Sequence, residues 1–389
     1  MNELLFDISP VQNKANGAAI YTRMVLEEAI ARDYRFDCCY IPSTGLDDGI
    51  LKLLDEKNIP LIKIDNVRHL SEFISSKGYR KVYLGSALNS DCEFDPSITP
   101  VITIHDLRFI EVPNDATRYL YRKTLFQRFK QITINLIAPG YSGHIQKKEI
   151  HRFIRHPKLH VITVSEHTRY SILQTFPQVS PERIHVFYCP YPKPVDVDEI
   201  ITDDSLLKDL GLKPGEYFLI ISANRWFKNA HRAIQALDRL YSINCLQDKK
   251  VLVLGQLSGP VINRIKNKNR FVFGDFLPEG KLNSIFKNAF CFIYPSLQEG
   301  FGIPPLQAMR FQTPILVAAT SSIPEICGDG AVYFNPYSIS EIQNRAFHIW
   351  NDPAFYDEMK KRAKLRYQYI SVKQKTDLTG LLKFIFEDL

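Results

Sequence analysis

The stretch Tyr294-Pro295-Ser296-Leu297-Gln298-Glu299-Gly300-Phe301-Gly302-Ile303-Pro304-Pro305-Leu306-Gln307-Ala308-Met309 reads as a strand end, a glycine turn and a helix start. Gly300 and Gly302 carry no Cβ, so their backbone amides can come close to a ligand. Pro304 or Pro305 suits the first helical position, where a missing N–H costs nothing. The free N–H groups and the dipole at such a start attract an anion. Glu299, just ahead of it, is placed to accept hydrogen bonds from hydroxyls. On these residues alone an ordinary strand–turn–helix corner and a ligand loop explain the pattern equally well.

The same alternation extends in both directions. Upstream, apolar runs at Leu4–Ile8, Phe36–Ile41, Leu61–Ile64, Lys81–Leu84, Val101–Ile104, Val161–Val164 and Ile184–Phe187 read as strands. Helix-like segments such as Ala18–Ala31 and Glu166–Thr175 lie between some of them. Around the opening stretch, strands fit Tyr217–Ser222, Lys250–Leu254, Arg270–Phe273, Cys291–Tyr294, Pro314–Val317 and Val332–Phe334. Helices fit Asn229–Ile243, Pro260–Lys268, Glu279–Asn288, Pro304–Arg310 and Ser340–Asn351. Strand–helix alternation favours mostly parallel sheets covered by helices on both faces. Between the two series, Cys189-Pro190-Tyr191-Pro192-Lys193-Pro194 repeats proline, and an acidic stretch follows to Asp204. Proline at that density fits neither helix interior nor central strand, so residues 189–214 read as an interdomain connection. The expected division is a domain at 1–190, a second at 191–364, and a C-terminal helix from about 365 to 389 returning to the first. Doubly wound units place ligands at the carboxyl ends of their strands.

Composition is that of an ordinary globular protein: of 389 residues, 45% are hydrophobic and 23% charged. No apolar run approaches the roughly 18–20 residues of a membrane-spanning helix. The N-terminus carries Glu3 and Asp7 where a secretory signal has a basic segment, so a cytoplasmic location is expected. Seven cysteines lie scattered with no C-x-x-C pair and no zinc spacing, and read as buried free thiols. Charge is uneven. Between Thr117 and His160 stand Arg118, Arg122, Lys123, Arg128, Lys130, Lys147, Lys148, Arg152, Arg155 and Lys158 against Glu149 alone. That window is +9, so with a total of +7 the remainder is −2. A basic face of this kind suits lipid headgroups, a pyrophosphate or nucleic acid. No recognisable nucleic-acid module accompanies it. Asp196-Val197-Asp198 has the D-x-D spacing of some Mn²⁺ sites, but its place in the acidic connection suits a solvated linker. No other metal cluster is visible, and no metal or other cofactor is expected.

The opening stretch, together with Pro324-Glu325-Ile326-Cys327-Gly328-Asp329, resembles the C-terminal signature of retaining glycosyltransferases of family 4, which have the GT-B fold. The resemblance implies an α/β chain of two Rossmann-like, doubly wound domains facing a central cleft. The first domain takes the acceptor and the second the nucleotide sugar. It implies that Glu299 contacts donor-sugar hydroxyls and that the amides of Phe301, Gly302 and Ile303 hold sugar and diphosphate. The family's second glutamate, eight positions on, is Gln307 here; an amide still offers an acceptor oxygen toward the ribose but no charge. Asn224-Arg225-Trp226-Phe227-Lys228-Asn229 stands where the family has an arginine and a lysine on the donor pyrophosphate, which assigns Arg225 and Lys228. Gly274-Asp275-Phe276-Leu277-Pro278 resembles the loop around the base, and assigns Phe276 and Leu277. In the first domain His105-Asp106 ends a strand, and the resemblance sets His105 against the donor sugar with Asp106 beside it. Asn16-Gly17-Ala18 resembles the family's glycine loop, reduced to Gly17. Ser165 matches too, but reads better as a helix N-cap.

The activity implied is transfer of a sugar from a GDP-, UDP- or dTDP-sugar to a hydroxyl on a glycan or lipid-linked acceptor, with retention and without metal. No carboxylate pair suggests a double displacement. A non-catalytic GT-B scaffold and a GT-B sugar-nucleotide epimerase are the alternatives. Neither Glu299 nor Lys228 looks like core. The 117–160 window, with Tyr119, Leu125, Phe126, Phe129, Ile132 and Ile134 among its charges, suits an anionic membrane surface. That makes the inner membrane of a bacterium, on its cytoplasmic side, the expected location.

Overall fold

The computed structural model describes residues 3–12, 16–43, 45–87, 93–190 and 204–389. The D-x-D at Asp196 and Asp198, most of the proline-rich connection and Cys92 lie outside them. The chain forms two compact units, each built on its own sheet. One comprises Met1–Ile110, Gly143–Pro192 and Val372–Leu389, the other Glu111–Ser142 and Lys193–Ser371.

In the first unit the strands are β1 (Leu4–Asp7), β2 (Asp37–Tyr40), β3 (Leu61–Lys63), β4 (Lys81–Leu84), β5 (Thr99–Ile104), β6 (His160–Thr163) and β7 (Ile184–Val186). They pair in the order β3-β2-β1-β4-β5-β6-β7, every pair parallel. A parallel sheet is covered on both faces, so its central strands are buried and largely apolar. Leu4, Leu5, Phe6 and Asp7 of β1 are accordingly all buried. Strand order reverses between β1 and β4, and the crevice beyond their carboxyl ends is the usual ligand position of such a sheet. The loop after β1 leads into the Gly17–Ala31 helix, Gly85 follows β4, and His105 follows β5.

The second unit has β8 (Tyr217–Ile220), β9 (Lys250–Leu254), β10 (Phe271–Gly274), β11 (Cys291–Tyr294), β12 (Ile315–Ala318) and β13 (Val332–Phe334). Their order is β10-β9-β8-β11-β12-β13, again all parallel. Here the order reverses between β8 and β11. The loop after β8 holds Arg225 and Lys228, and the loop after β11 holds Glu299 and Gly302. The two most informative motifs of the sequence therefore leave neighbouring strands at one end of one sheet.

All thirteen strands read from the sequence are present, within two residues at each end. Ser165 caps the Glu166–Thr175 helix by accepting the Thr168 N–H at 3.2 Å. Cys38, Cys39, Cys189, Cys291 and Cys327 are buried free thiols, and Cys245 is half-buried.

Two expectations change. The helix expected over Pro260–Lys268 stops at Ile262. Beyond it the Asp238 carboxylate accepts the backbone N–H groups of Lys266 at 3.0 Å and Asn267 at 2.8 Å, which draws them out of a helical ladder. Residues 111–142, assigned to the first domain by the division at 190, pack with the second unit. Leu120 lies in that unit's core beside Ile234 and Val261. Asp115 pairs with Arg232 at 3.0 Å, and Tyr121 Oη meets His231 Nδ1 at 3.2 Å. The +9 window is thus split: its first five cations lie in the second unit and its last five in the first.

Candidate active site

Lys228 ends a 3-10 turn, Trp226–Lys228, that follows β8. The next residue, Asn229, takes a left-handed conformation (φ 58°) and is fully buried. Its amide donates to Pro295 O at 3.0 Å and Pro336 O at 2.8 Å, which locks the β8 loop to the loops after β11 and β13. Lys228 is thereby held under the β11 loop. Its ammonium donates to Glu299 Oε1 at 2.6 Å and Tyr294 Oη at 2.5 Å, and lies 4.9 Å from the Tyr294 ring centroid. Ser296 Oγ donates to the same Glu299 oxygen. Glu299 N donates to Ser321 Oγ at 2.9 Å, and Ser322 Oγ donates to Glu299 O at 3.0 Å.

Both charged residues are under 10% exposed, Lys228 at 8% and Glu299 at 7%. The expectation that neither belongs to the interior is therefore corrected: each resides there because it has the other. A buried ammonium or carboxylate is tolerated only when paired and hydrogen-bonded. This pair supports the packing of the two loops that carry it.

Gly302 closes the loop at φ +106°, and a Cβ there would lie 2.8 Å from Ile323 Cδ1. The following helix, Ile303–Arg310, places Pro304 and Pro305 at its second and third positions, not its first. Neither proline has an N–H, so Ile303 is the only backbone donor among the first three helical residues. The anion-binding potential of this helix start is concentrated on one amide and the loop amides preceding it. Gln307, one turn on, is buried and donates its amide to Asn283 Oδ1 at 2.7 Å, which ties it to the Glu279–Asn288 helix. Arg225 is exposed at the edge of the 3-10 turn. Phe276, in the loop after β10, is 76% exposed, and Leu277 beside it is half-buried. The downstream Gly328 and Gly330 have a packing role: Arg366 runs against both and donates to the carbonyls of Glu325 and Ile326.

In the first unit, His105 Nε2 donates to Gly85 O at 2.9 Å, and the ring stands edge-on to Tyr21 at 4.9 Å. Burial lowers the His105 pKa despite the Gly85 carbonyl and the Asp106 carboxylate, so the ring is neutral at pH 7. Gly85 leaves no room for a side chain, since a Cβ would strike the Thr22 hydroxyl. Asp106 accepts the Arg108 guanidinium at 2.7 Å and the Arg108 N–H at 3.0 Å, so it supports the turn after β5. Gly17 begins its helix with open space where a Cβ would stand, and Asn16 caps that helix by accepting the Ala19 N–H at 2.8 Å.

The structure thus brings Lys228, Glu299, Phe301, Gly302 and Ile303 together and leaves Gln307 engaged with a neighbouring helix. Sequence reading missed Tyr294, Ser296, Asn229, Ser321 and Ser322. Ser296 stands three residues before Glu299, a readable spacing, whereas Ser321 and Ser322 have no local signal. Among the described residues no three histidine, cysteine or acidic side chains are grouped to hold a metal ion.

Two all-parallel, doubly wound sheets, each with its ligand-ready loops at the point where strand order reverses, define a two-domain α/β protein of the GT-B class. Residues 204–366 match the family model described as "Glycosyl transferases group 1". The chain is 29% identical over 170 residues to the serotype-specific mannosyltransferase WbdA of Escherichia coli, covering 40% of this chain and 20% of WbdA. It is 27% identical over 259 residues to the O-antigen chain mannosyltransferase RfbU of Salmonella typhimurium, covering 64% of this chain and 68% of RfbU. In fold it matches Anabaena HepE, solved in complex with UDP and glucose, at a TM-score of 0.63 and 16% identity over 99% of both chains. The chain therefore has the GT-B fold, and its residues 204–366 are similar to the group 1 glycosyl transferases.

Proposed function

We propose that the protein transfers a hexose from a nucleotide diphosphate sugar to a hydroxyl of a lipid-linked saccharide, with retained anomeric configuration, in bacterial surface-polysaccharide assembly. The observation that carries this reading is the buried Lys228–Glu299 pair, set beside the Gly302–Ile303 helix start. The Lys228 ammonium, held by Glu299 and Tyr294, brings its positive charge to the loops that an incoming diphosphate would meet. Arg225, exposed at the same loop, adds charge from the rim. Glu299 is assigned to the donor-sugar hydroxyls on the strength of the resemblance. His105, neutral, is assigned to the donor sugar on the strength of the resemblance, and Phe276 offers an exposed ring to the base.

In the proposed step the bond from the anomeric carbon to the leaving phosphate oxygen breaks, and a bond to the acceptor oxygen forms on the same face. The acceptor proton passes to the departing phosphate. The positive charge of Lys228, Arg225 and the helix start stabilises the diphosphate as negative charge develops, and the reaction is taken to be metal-independent. The names of WbdA and RfbU favour a mannosyl donor, which puts GDP-mannose first among GDP-, UDP- and dTDP-sugars. The lipid-linked acceptor implies work at the cytoplasmic side of the inner membrane, and no helix among the described residues is long and apolar enough to cross it.

The test is a thermal-shift screen of those sugar nucleotides, followed by nucleotide release with and without acceptor. A shifted midpoint and release with one donor support the reading. A shift without release points to the scaffold alternative, and conversion of the free sugar nucleotide to its epimer points to the isomerase.

A further inference from the structure

The Leu125–Ile137 helix of the second unit has its two faces reversed. On a wheel of about 100° per residue, Ile132, Leu125, Leu136, Phe129, Phe126 and Ile137 share one arc of roughly 140°. Five of these six are 71% to 79% exposed, and Ile132 is 39% exposed. The opposite face turns inward through Gln131, Ile134 and Asn135, while Gln127 at its start stays exposed. Gln131 is buried, accepts the Arg122 guanidinium at 2.6 and 3.0 Å, and donates to Asn135 Oδ1 at 2.8 Å. Asn135 in turn donates to Asp115 O at 3.3 Å. A helix on a soluble surface normally buries its apolar stripe and exposes its polar one. Here hydrogen bonds fix the polar stripe to the protein, and a capping box between Thr124 and Gln127 fixes the helix start.

We propose that this face lies on an anionic phospholipid bilayer. Charge complementarity selects that occupant. Lys130 and Arg128 stand on either flank of the apolar arc, with Lys123 just ahead of the helix, and no acidic residue occurs from 116 to 148. Cations at the rim of an apolar strip match anionic headgroups above acyl chains. A second copy of the chain matches poorly, because a symmetric contact would bring these uncompensated cations together. Thirteen residues make a helix of about 20 Å, short of the roughly 30 Å hydrocarbon core, so it lies in the interface and does not span it. The surface deepens the reading of a lipid-linked acceptor, and it can be tested without donor or acceptor.

The experiment is co-sedimentation of the full chain with vesicles of phosphatidylglycerol mixed into phosphatidylcholine, or of phosphatidylcholine alone, across a salt series. The wild-type protein should pellet with the anionic vesicles at low salt and be released as salt rises. Lys123→Gln and Lys130→Gln should each lower the partition coefficient about fivefold at low salt. Phe126→Gln with Phe129→Gln should lower it more than about tenfold at every salt concentration. Both phenylalanines are exposed, so the melting midpoint of that double variant should match wild type. The proposal is overturned if the wild-type protein stays in the supernatant with anionic vesicles at low salt, or if the double phenylalanine variant pellets equally well. A wild-type dimer that the same variant dissociates, without vesicle binding, assigns the face to a second copy instead. Donor turnover is measured on the same samples. Turnover without vesicle binding removes the docking surface alone, and vesicle binding without turnover removes the transferase reading alone.

Discussion

Lys228 Nζ and Glu299 Oε1 stand 2.6 Å apart, seventy-one residues separated in sequence and both closed off from solvent. Removing one partner strands the other charge in the interior, which typically costs about 3–5 kcal/mol. Lys228→Met and Glu299→Gln should each lower the urea midpoint and cut sugar transfer by roughly 10²–10³. The double variant should be less destabilised than the sum of the two singles, because it leaves no unpaired charge. Equilibrium unfolding of all four proteins measures the coupling, and strict additivity would contradict the pairing.

The contrast between Gly17 and Gly302 separates fold from ligand. At Gly17 a Cβ meets nothing, so Gly17→Ala should leave stability unchanged or raise it by about 0.4–1 kcal/mol. Any loss of donor affinity there reports a contact with the ligand. At Gly302 the positive φ and the nearby Ile323 side chain oppose a Cβ. Gly302→Ala should cost about 1–3 kcal/mol and weaken donor binding as well. Calorimetric melts paired with titration of the donor identified by screening give both numbers.

Gln307→Glu restores the carboxylate of the family pattern at a buried position bonded to Asn283. Burial disfavours the charged form, so the variant should lose about 1–3 kcal/mol at neutral pH and recover part of it on acidification. If Gln307 meets only the ribose, donor affinity should change more than the rate of transfer. Equal stability at pH 5 and pH 8 would show that Asn283 turns its amide to satisfy the new carboxylate.

Asp7 predicts a pH dependence of stability. Burial raises its pKa from 3.8 to about 6, against the opposing hydrogen bonds from Ser9. A raised folded pKa means that the native state holds the proton longer, so this group's contribution is full below about pH 4 and is lost as pH rises through about 6. The lost stability is on the order of 3 kcal/mol. His105, whose folded pKa is lowered, acts in the opposite sense and loses stability as pH falls below 6.5. Asp7→Asn isolates the first effect: its stability relative to wild type should grow between pH 4 and pH 6 and then level off. A constant difference across that range in urea titrations would refute the assignment.

The sheets were legible because their strands are short, mostly apolar runs, as parallel strands covered on both faces tend to be. The Glu299–Ile303 loop was legible for a different reason: glycine, proline and glutamate at fixed spacing describe one turn completely. Local pattern could not reveal where residues 111–142 pack. That depends on Leu120 entering a core built more than a hundred residues later, and on Asp115 finding Arg232. Nor could it reveal that Lys228 is buried, since the partner that permits burial sits on another strand's loop. The reversal of the Leu125–Ile137 helix escapes periodicity for the same reason: a wheel shows that a helix has two faces but not which one is turned inward.

The first unit is completed by residues from the far end of the chain. Gln374 donates to Cys189 O at 2.5 Å, Asp377 accepts the Tyr188 N–H at 2.8 Å, and Phe386 stacks on Tyr34 at 4.4 Å between ring centroids. During synthesis, therefore, the surfaces at Tyr34, Tyr188 and Cys189 stay uncovered until residues 374–386 have been made, after the strands of both sheets. Exposed apolar surface on an unfinished domain is where a chaperone engages a growing chain.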